Sequence, residues 1–296
     1  MTTAAALPVS GDFASSLRAW FELGKPRITS LVVLTTSVGA LLAPASGGRP
    51  LLGIVVGTAL VVAGANALNM YLERDTDAAM ERTRHRPLPS GRLAPSVASW
   101  SGVAVSASGL VVLAGLVNAS AAIVAAIALA SYVLLYTPLK RITPWALPVG
   151  AVPGALPPVI GWVGAGGVLD TRAWSLFLLL YAWQIPHFLA ISVFRETEYR
   201  RAGLAVMPAV HGLRATHRAI ALSSALLAAV SVLPVLTGLA SGGYLAVAVA
   251  LGLPFVGLGV SGLRSDVGPL WARRVFFASL PYLVLVLATL LVDAAV

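Results

Sequence analysis

Nine apolar runs, each close to the roughly 20 residues that carry a helix across a bilayer, decide what this chain can fold into. They lie near residues 28–45, 51–72, 95–117, 119–138, 147–164, 172–194, 216–239, 243–262 and 271–294. None shows the two-residue alternation of a barrel strand. Backbone groups in lipid must also satisfy their own hydrogen bonds, so the runs predict helices. Only 10% of the residues are charged, against about a quarter in a soluble domain. The expected fold class is therefore all-α: a polytopic protein of the lipid bilayer, with nine transmembrane helices around a central cavity. Prolines inside several runs, among them Pro153, Pro157, Pro158, Pro186 and Pro281, suit a bundle whose neighbours satisfy the freed backbone groups.

Charge orients the bundle. With nine spans, 18 of the 20 lysines and arginines fall on one side, and only Arg49 and Arg172 fall on the other. That split predicts a cytoplasmic N-terminus and an outer C-terminus in a cell inner membrane. Of the 11 acids, nine share the basic side, the exceptions being Asp170 and Asp293. Any chemistry is expected on the cytoplasmic face. Orientation also accounts for the net charge of +9, so no nucleic-acid partner is expected. The absence of cysteine excludes disulfides, thiolate metal sites and cysteine nucleophiles. Residues 1–24 read as a flexible or amphipathic leader, and 25–296 as one membrane-embedded domain. An acidic, arginine-rich segment follows the second run and another follows the sixth, which suggests two four-helix repeats plus a ninth helix.

The first of these segments, residues 66–92, holds four carboxylates and five arginines at the end of an apolar run. Charge is costly there, so the cluster is a functional-site hypothesis. On a helix, Asn69, Glu73 and Asp77 fall within about 80° of one another, with Asn66 in the same arc. Asp75 points the other way. Such hard oxygen ligands suit Mg2+, which is usually held by one or two carboxylates plus substrate phosphates. Glu196 and Glu198 in the second segment offer facing carboxylates, so Glu73, Asp77 and Glu198 are the expected metal-holding acids. The competing reading is a set of solvated ion pairs, and for Asp75, Glu81 and Arg84 it is preferred.

Other residues admit two readings each. Lys25, Arg27, Lys140 and Arg141 either neutralise a diphosphate or merely signal topology. Tyr136 lines the same cavity or belongs to an interfacial aromatic belt. The stretch from Gly154 to Trp162 bends a helix or packs two helices closely. His187, in Trp183-Gln184-Ile185-Pro186-His187-Phe188, is a site residue or a hydrogen-bonded structural one. His85, His211 and His217 read as interfacial or loop residues.

Taken together, these elements resemble the UbiA superfamily of intramembrane prenyltransferases, and within it the haem-farnesylating branch. The elements are Leu23-Gly24-Lys25-Pro26-Arg27, Asn69-Met70-Tyr71-Leu72-Glu73-Arg74-Asp75-Thr76-Asp77, Arg86-Pro87-Leu88-Pro89, Tyr136-Thr137-Pro138-Leu139-Lys140-Arg141, Pro157-Pro158-Val159-Ile160-Gly161-Trp162 and Trp183–Phe188. Quinone-type relatives carry Asp where this chain has Met70.

The resemblance implies a UbiA-like bundle and transfer of farnesyl from farnesyl diphosphate to a vinyl of haem B, with water added, giving haem O. Haem B is then a substrate, and the product serves haem-copper oxidase assembly directly or through haem A synthase. Asn69, Glu73, Asp77 and His187 would be the reacting set. Lys25, Arg27, Asn66, Arg82, Arg86, Tyr136, Lys140, Arg141 and Glu198 would bind substrate. Rival readings are a prenyltransferase acting on a quinone precursor or lipid, and a transporter. The transporter reading expects its acids at the midplane, whereas these cluster at one face.

Overall fold

The computed structural model describes residues 13–44, 48, 50–264 and 267–295. Arg49, the first twelve residues of the leader and the expected end of the first run at residue 45 lie outside the described residues. Within the leader, Phe13–Leu23 forms helix α1. Its Ala19 and Leu23 are buried against Ala67, Met70, Leu88, Leu93 and Ala98.

The spans are α2 (Pro26–Leu42), α3 (Leu51–Ala78), α4 (Pro95–Leu116) and α5 (Ala119–Ala130), followed by α7 (Ala146–Ala155) with α8 (Pro157–Gly164). Next come α9 (Thr171–Phe194), α11 (Met207–Val230) with α12 (Leu233–Leu236), α13 (Gly242–Ser261) and α14 (Pro269–Asp293). Helix α5 continues through a π-helical stretch, Ser131–Tyr136, into the single turn α6 (Thr137–Leu139), and α10 (Glu196–Arg201) bridges α9 and α11. Among the described residues, eight spans are long and apolar enough to cross a membrane, and the shorter Pro26–Leu42 completes the nine expected. The protein is thus an all-helical polytopic membrane protein. Large apolar side chains such as Leu52, Leu222 and Phe277 face outward, as a lipid-solvated bundle requires.

Local sequence sets the breaks. Proline opens α2, α4, α8 and α14, where its missing N–H costs nothing. Asn118 caps α5 through Ala121 N at 2.8 Å, and Asp170 caps α9 through Arg172 N at 3.0 Å and Ala173 N at 3.1 Å. Consecutive Pro157 and Pro158 divide the fifth span into α7 and α8.

Two boundaries differ from expectation. The second span runs six residues past 72, to Ala78, because Glu73 to Asp77 continue the helix beyond the apolar run. The seventh begins at Met207 rather than near 216, since a break at Gly212 (φ 82°) joins the short segment Met207–His211 to the apolar run.

Helix α3 packs on α4, α2 on α8, and α9 on both α11 and α14. The Gly154–Trp162 stretch does both things expected of it: it breaks the helix at Pro157 and packs α8 closely on α2. A Cβ at Gly161 would collide with the Thr36 carbonyl oxygen, and one at Gly39 with the Pro158 carbonyl oxygen. Backbones approach this closely only through small residues.

Candidate active site

The extension of α3 gives the site its form. Asn69, Glu73 and Asp77 stack on one face, with Asn69 and Asp77 each 1% exposed, while the Asp75 side chain is 75% exposed. Helical spacing separated these residues correctly.

Four cations converge on that face from three other segments. Lys140 Nζ donates to Glu73 Oε1 at 2.7 Å and sits 4.2 Å from the Tyr136 ring centroid. Lys25 Nζ donates to Asn69 Oδ1 at 2.7 Å. Arg86 Nη1 donates to Asp77 Oδ2 at 2.7 Å, and Arg141 donates to Thr76 Oγ1. The Tyr136 ring lies against Gly150, so it belongs to the bundle interior and not to an aromatic belt. The π-helical stretch ends at Tyr136. Its wider turn sets the phase of Tyr136, Thr137 and Lys140 toward α3.

Lys25 is placed by backbone strain. It is the one described non-glycine residue with positive φ, at 45°. The preceding Gly24 carbonyl accepts from Thr29 Oγ1 at 2.6 Å and from Asn66 Nδ2 at 3.2 Å. Asn66 therefore serves the α1–α2 turn instead of facing the carboxylates. Burial, followed by the nearby charges of Arg86 and Lys140, lowers the Lys25 pKa to about 7. Arg27 is exposed in the first turn of α2, apart from the converging cations.

The second acidic segment forms a separate wall. Glu198 accepts from the Arg82 backbone N–H at 3.3 Å and pairs with Arg195 at 3.2 Å, while Glu196 pairs with Arg200. A cleft of about 750 Å³ lies between the end of α3 and α10, lined by Ala78–Arg82, Arg84, Phe194, Arg195, Thr197, Glu198 and Arg201. Among the described residues, no three acids or histidines stand together as a metal centre. Glu73, Asp77 and Glu198 are each neutralised by a different cation, so nothing draws the like charges together. The donors on α3 still fit Mg2+ chemically: two carboxylates and an amide are hard oxygen ligands, and Mg2+ takes its remaining ligands from water and phosphate.

His187 is buried two turns below Phe194. Its Nδ1 lies 2.7 Å from Ser279 Oγ, and its ring stacks on Trp183 at 4.7 Å and tilts against Phe276 at 4.8 Å. The Ser279 hydroxyl donates to the Phe276 carbonyl at 2.7 Å. Its single proton is thereby used, so His187 Nδ1–H is the donor and Nε2 carries the lone pair. His217, expected in a loop or at the interface, is instead 8% exposed. It packs edge-on to Trp271 at 4.8 Å, covered by the first turns of α14.

Sequence reasoning passed over three partners. Thr137 accepts from Asn69 Nδ2 at 3.1 Å, Thr76 accepts from Arg141, and Ser279 orients His187. The first two were visible as hydroxyls beside the charged motifs. Ser279 stands 92 residues from its partner, and no local pattern marks it.

The UbiA prenyltransferase family profile matches residues 32–280. The chain is 55% identical over 240 residues to the protoheme IX farnesyltransferase of Sorangium cellulosum (strain So ce56), covering 81% of this chain and 86% of that protein. It is 46% identical over 273 residues to the protein of the same name from Myxococcus xanthus (strain DK1622), covering 92% and 93%. Among solved structures, it resembles a digeranylgeranylglyceryl phosphate synthase, with TM-score 0.80, 18% identity and coverage of 94% and 98%. It also resembles a UbiA homolog from Archaeoglobus fulgidus bound to DMAPP and Mg2+, with TM-score 0.66, 19% identity and coverage of 92% and 98%.

Proposed function

This chain belongs to the UbiA prenyltransferase family, and from that premise we propose that it transfers farnesyl from farnesyl diphosphate to a vinyl group of haem B, giving haem O. Its activity as a prenyltransferase follows from its relatives. The observation that supports a prenyl diphosphate as the donor is the convergence of Lys25, Arg86, Lys140 and Arg141 on the carboxylate-bearing end of α3. Four cations beside a buried Asn69–Glu73–Asp77 face form a diphosphate pocket at the mouth of an apolar bundle. The protoheme farnesyltransferase relatives support haem B as the acceptor.

The chemistry is charge management. The carbon–oxygen bond of farnesyl diphosphate breaks, diphosphate departs, and the allylic cation forms a carbon–carbon bond with the terminal vinyl carbon. Water adds to the vinyl carbon next to the ring and loses a proton. Mg2+, held by Glu73 and Asp77 with Asn69 alongside, supplies electrostatic stabilisation of the leaving group when bound. Lys25, Lys140, Arg86 and Arg141 donate charge-assisted hydrogen bonds to the diphosphate oxygens as negative charge grows there. Tyr136 holds the Lys140 ammonium over its ring face, limiting the reorganisation needed at the reacting moment. The apolar walls keep stray water from the cation. His187 Nε2, whose lone pair Ser279 leaves free, is the group available to orient the adding water.

The site opens on the cytoplasmic face of a cell inner membrane, with the N-terminus on that side, as the distribution of basic residues supports. Haem extraction from cells that make the active protein, compared with cells that lack it, tests the reading. Haem O, or haem A derived from it, should appear only with the protein. Its absence beside an active prenyltransferase would exclude haem as the acceptor.

A further inference from the structure

The cleft between the end of α3 and α10 adjoins the diphosphate pocket, and Tyr199 of α10 lies close enough to feel the charges of Arg82 and Glu198 on one side and of Lys140 on the other. Lys25, Glu73, Asp77 and Lys140 do not line it. Its walls instead carry Arg82, Arg84, Arg195 and Arg201 against Glu81 and Glu198. Arg84 pairs with Glu81 at 3.6 Å and Arg195 with Glu198 at 3.2 Å. Among the described residues, Arg82 and Arg201 form no ion pair. Four guanidiniums against two carboxylates leave the cleft two positive charges in excess.

We propose that this cleft is the carboxylate-recognition site for the acceptor, with the Arg82 and Arg201 guanidiniums taking the two propionates of haem B. The inference rests on the haem reading above. Two carboxylates match the excess charge, and planar guanidinium forks match their geometry. Depth fits as well. Ala78, which lines the cleft, lies five residues beyond Glu73, roughly 8 Å along the helix. Haem B carries its vinyl groups on the edge opposite its propionates. Propionates at the water-facing cleft therefore send the vinyl edge inward, toward the carboxylates where diphosphate departs. Both arginines are exposed, as expected for groups that hold the one charged edge of an otherwise apolar ligand at the membrane surface.

The experiment uses the full chain in lipid nanodiscs with Mg2+, farnesyl diphosphate and either haem B or its dimethyl ester. Arg82→Gln and Arg201→Gln should each raise KM for haem B about tenfold, the loss of one charge-assisted contact. They should leave KM for farnesyl diphosphate unchanged. With the dimethyl ester, wild type and variants should converge, and Arg201→Lys should recover part of the loss. Retained KM for farnesyl diphosphate shows that each variant is folded. A rise in KM for farnesyl diphosphate would reassign the arginines to the diphosphate and overturn the proposal. An unchanged KM for haem B would overturn the proposal alone. A wild type that transfers farnesyl to neither haem would overturn the haem reading and the proposal together.

Discussion

Lys140 Nζ and Glu73 Oε1 lie 2.7 Å apart, with the side chains 22% and 14% exposed. The pair joins α3 to the turn after α6 and fixes the central cation of the pocket proposed for the diphosphate. Lys140→Met leaves a mostly buried carboxylate uncompensated. It should cost about 1–3 kcal/mol of stability and raise KM for farnesyl diphosphate more than KM for haem B. Thermal unfolding in detergent and steady-state kinetics check both. An unchanged KM for farnesyl diphosphate would remove Lys140 from the pocket.

Asp77 makes a tighter case, since its side chain is 1% exposed and that of Arg86 is 25% exposed. Arg86→Met should destabilise the fold by about 3 kcal/mol or more, because removing one partner strands a buried charge. Adding Asp77→Asn to Arg86→Met should restore much of that stability without restoring turnover. A denaturation series on the single and double variants measures the recovery.

Lys25 gives the site a pH dependence. Its pKa is lowered from 10.5 to about 7, so in the free enzyme its ammonium is lost as pH rises through about 7. The kcat/KM for farnesyl diphosphate should fall through that pH, which reports groups of the free enzyme. Lys25→Arg, which stays charged, should shift that limb upward. For folding the sign is opposite: between about 7 and 10.5 the unfolded chain holds more protons at this residue, so its contribution to stability rises with pH. An alkaline limb near 7 that persists in Lys25→Arg would assign it to another group.

Gly161 tests the scaffold. A methyl group there meets the Thr36 carbonyl, so Gly161→Ala must push α2 from α8 and should cost roughly 1–3 kcal/mol. Since Lys25 immediately precedes α2, kcat should fall too. A fully stable variant would show that the two helices separate without strain.

Hydropathy made the nine spans legible, because length and apolarity alone select a membrane helix. It missed the end of α3, where the helix runs on through charged residues, and the start of α11, where a short turn joins the span across the break at Gly212. The 3.6-residue period exposed the Asn69–Glu73–Asp77 face and the outward turn of Asp75. The period cannot reveal which cation meets which carboxylate. Lys140 reaches Glu73 across 67 residues, guided by a π-helical turn that no propensity announces. Asn66 shares the helical arc of the site yet holds the Gly24 turn, because position along the helix decides which neighbour it meets. Ser279 gives His187 its tautomer from another helix altogether.

The most direct measurement is coupled turnover by the purified chain. It follows diphosphate release and haem mass together, with farnesyl diphosphate, haem B and Mg2+, for wild type, Glu73→Gln and Asp77→Asn. Wild type should release one diphosphate for each haem that gains a farnesyl group and a water. Both variants should lose at least about 100-fold in kcat, the scale of removing one electrostatic stabiliser of the transition state. Full Mg2+-dependent turnover in both variants would contradict the assignment of the end of α3 as the site of diphosphate departure.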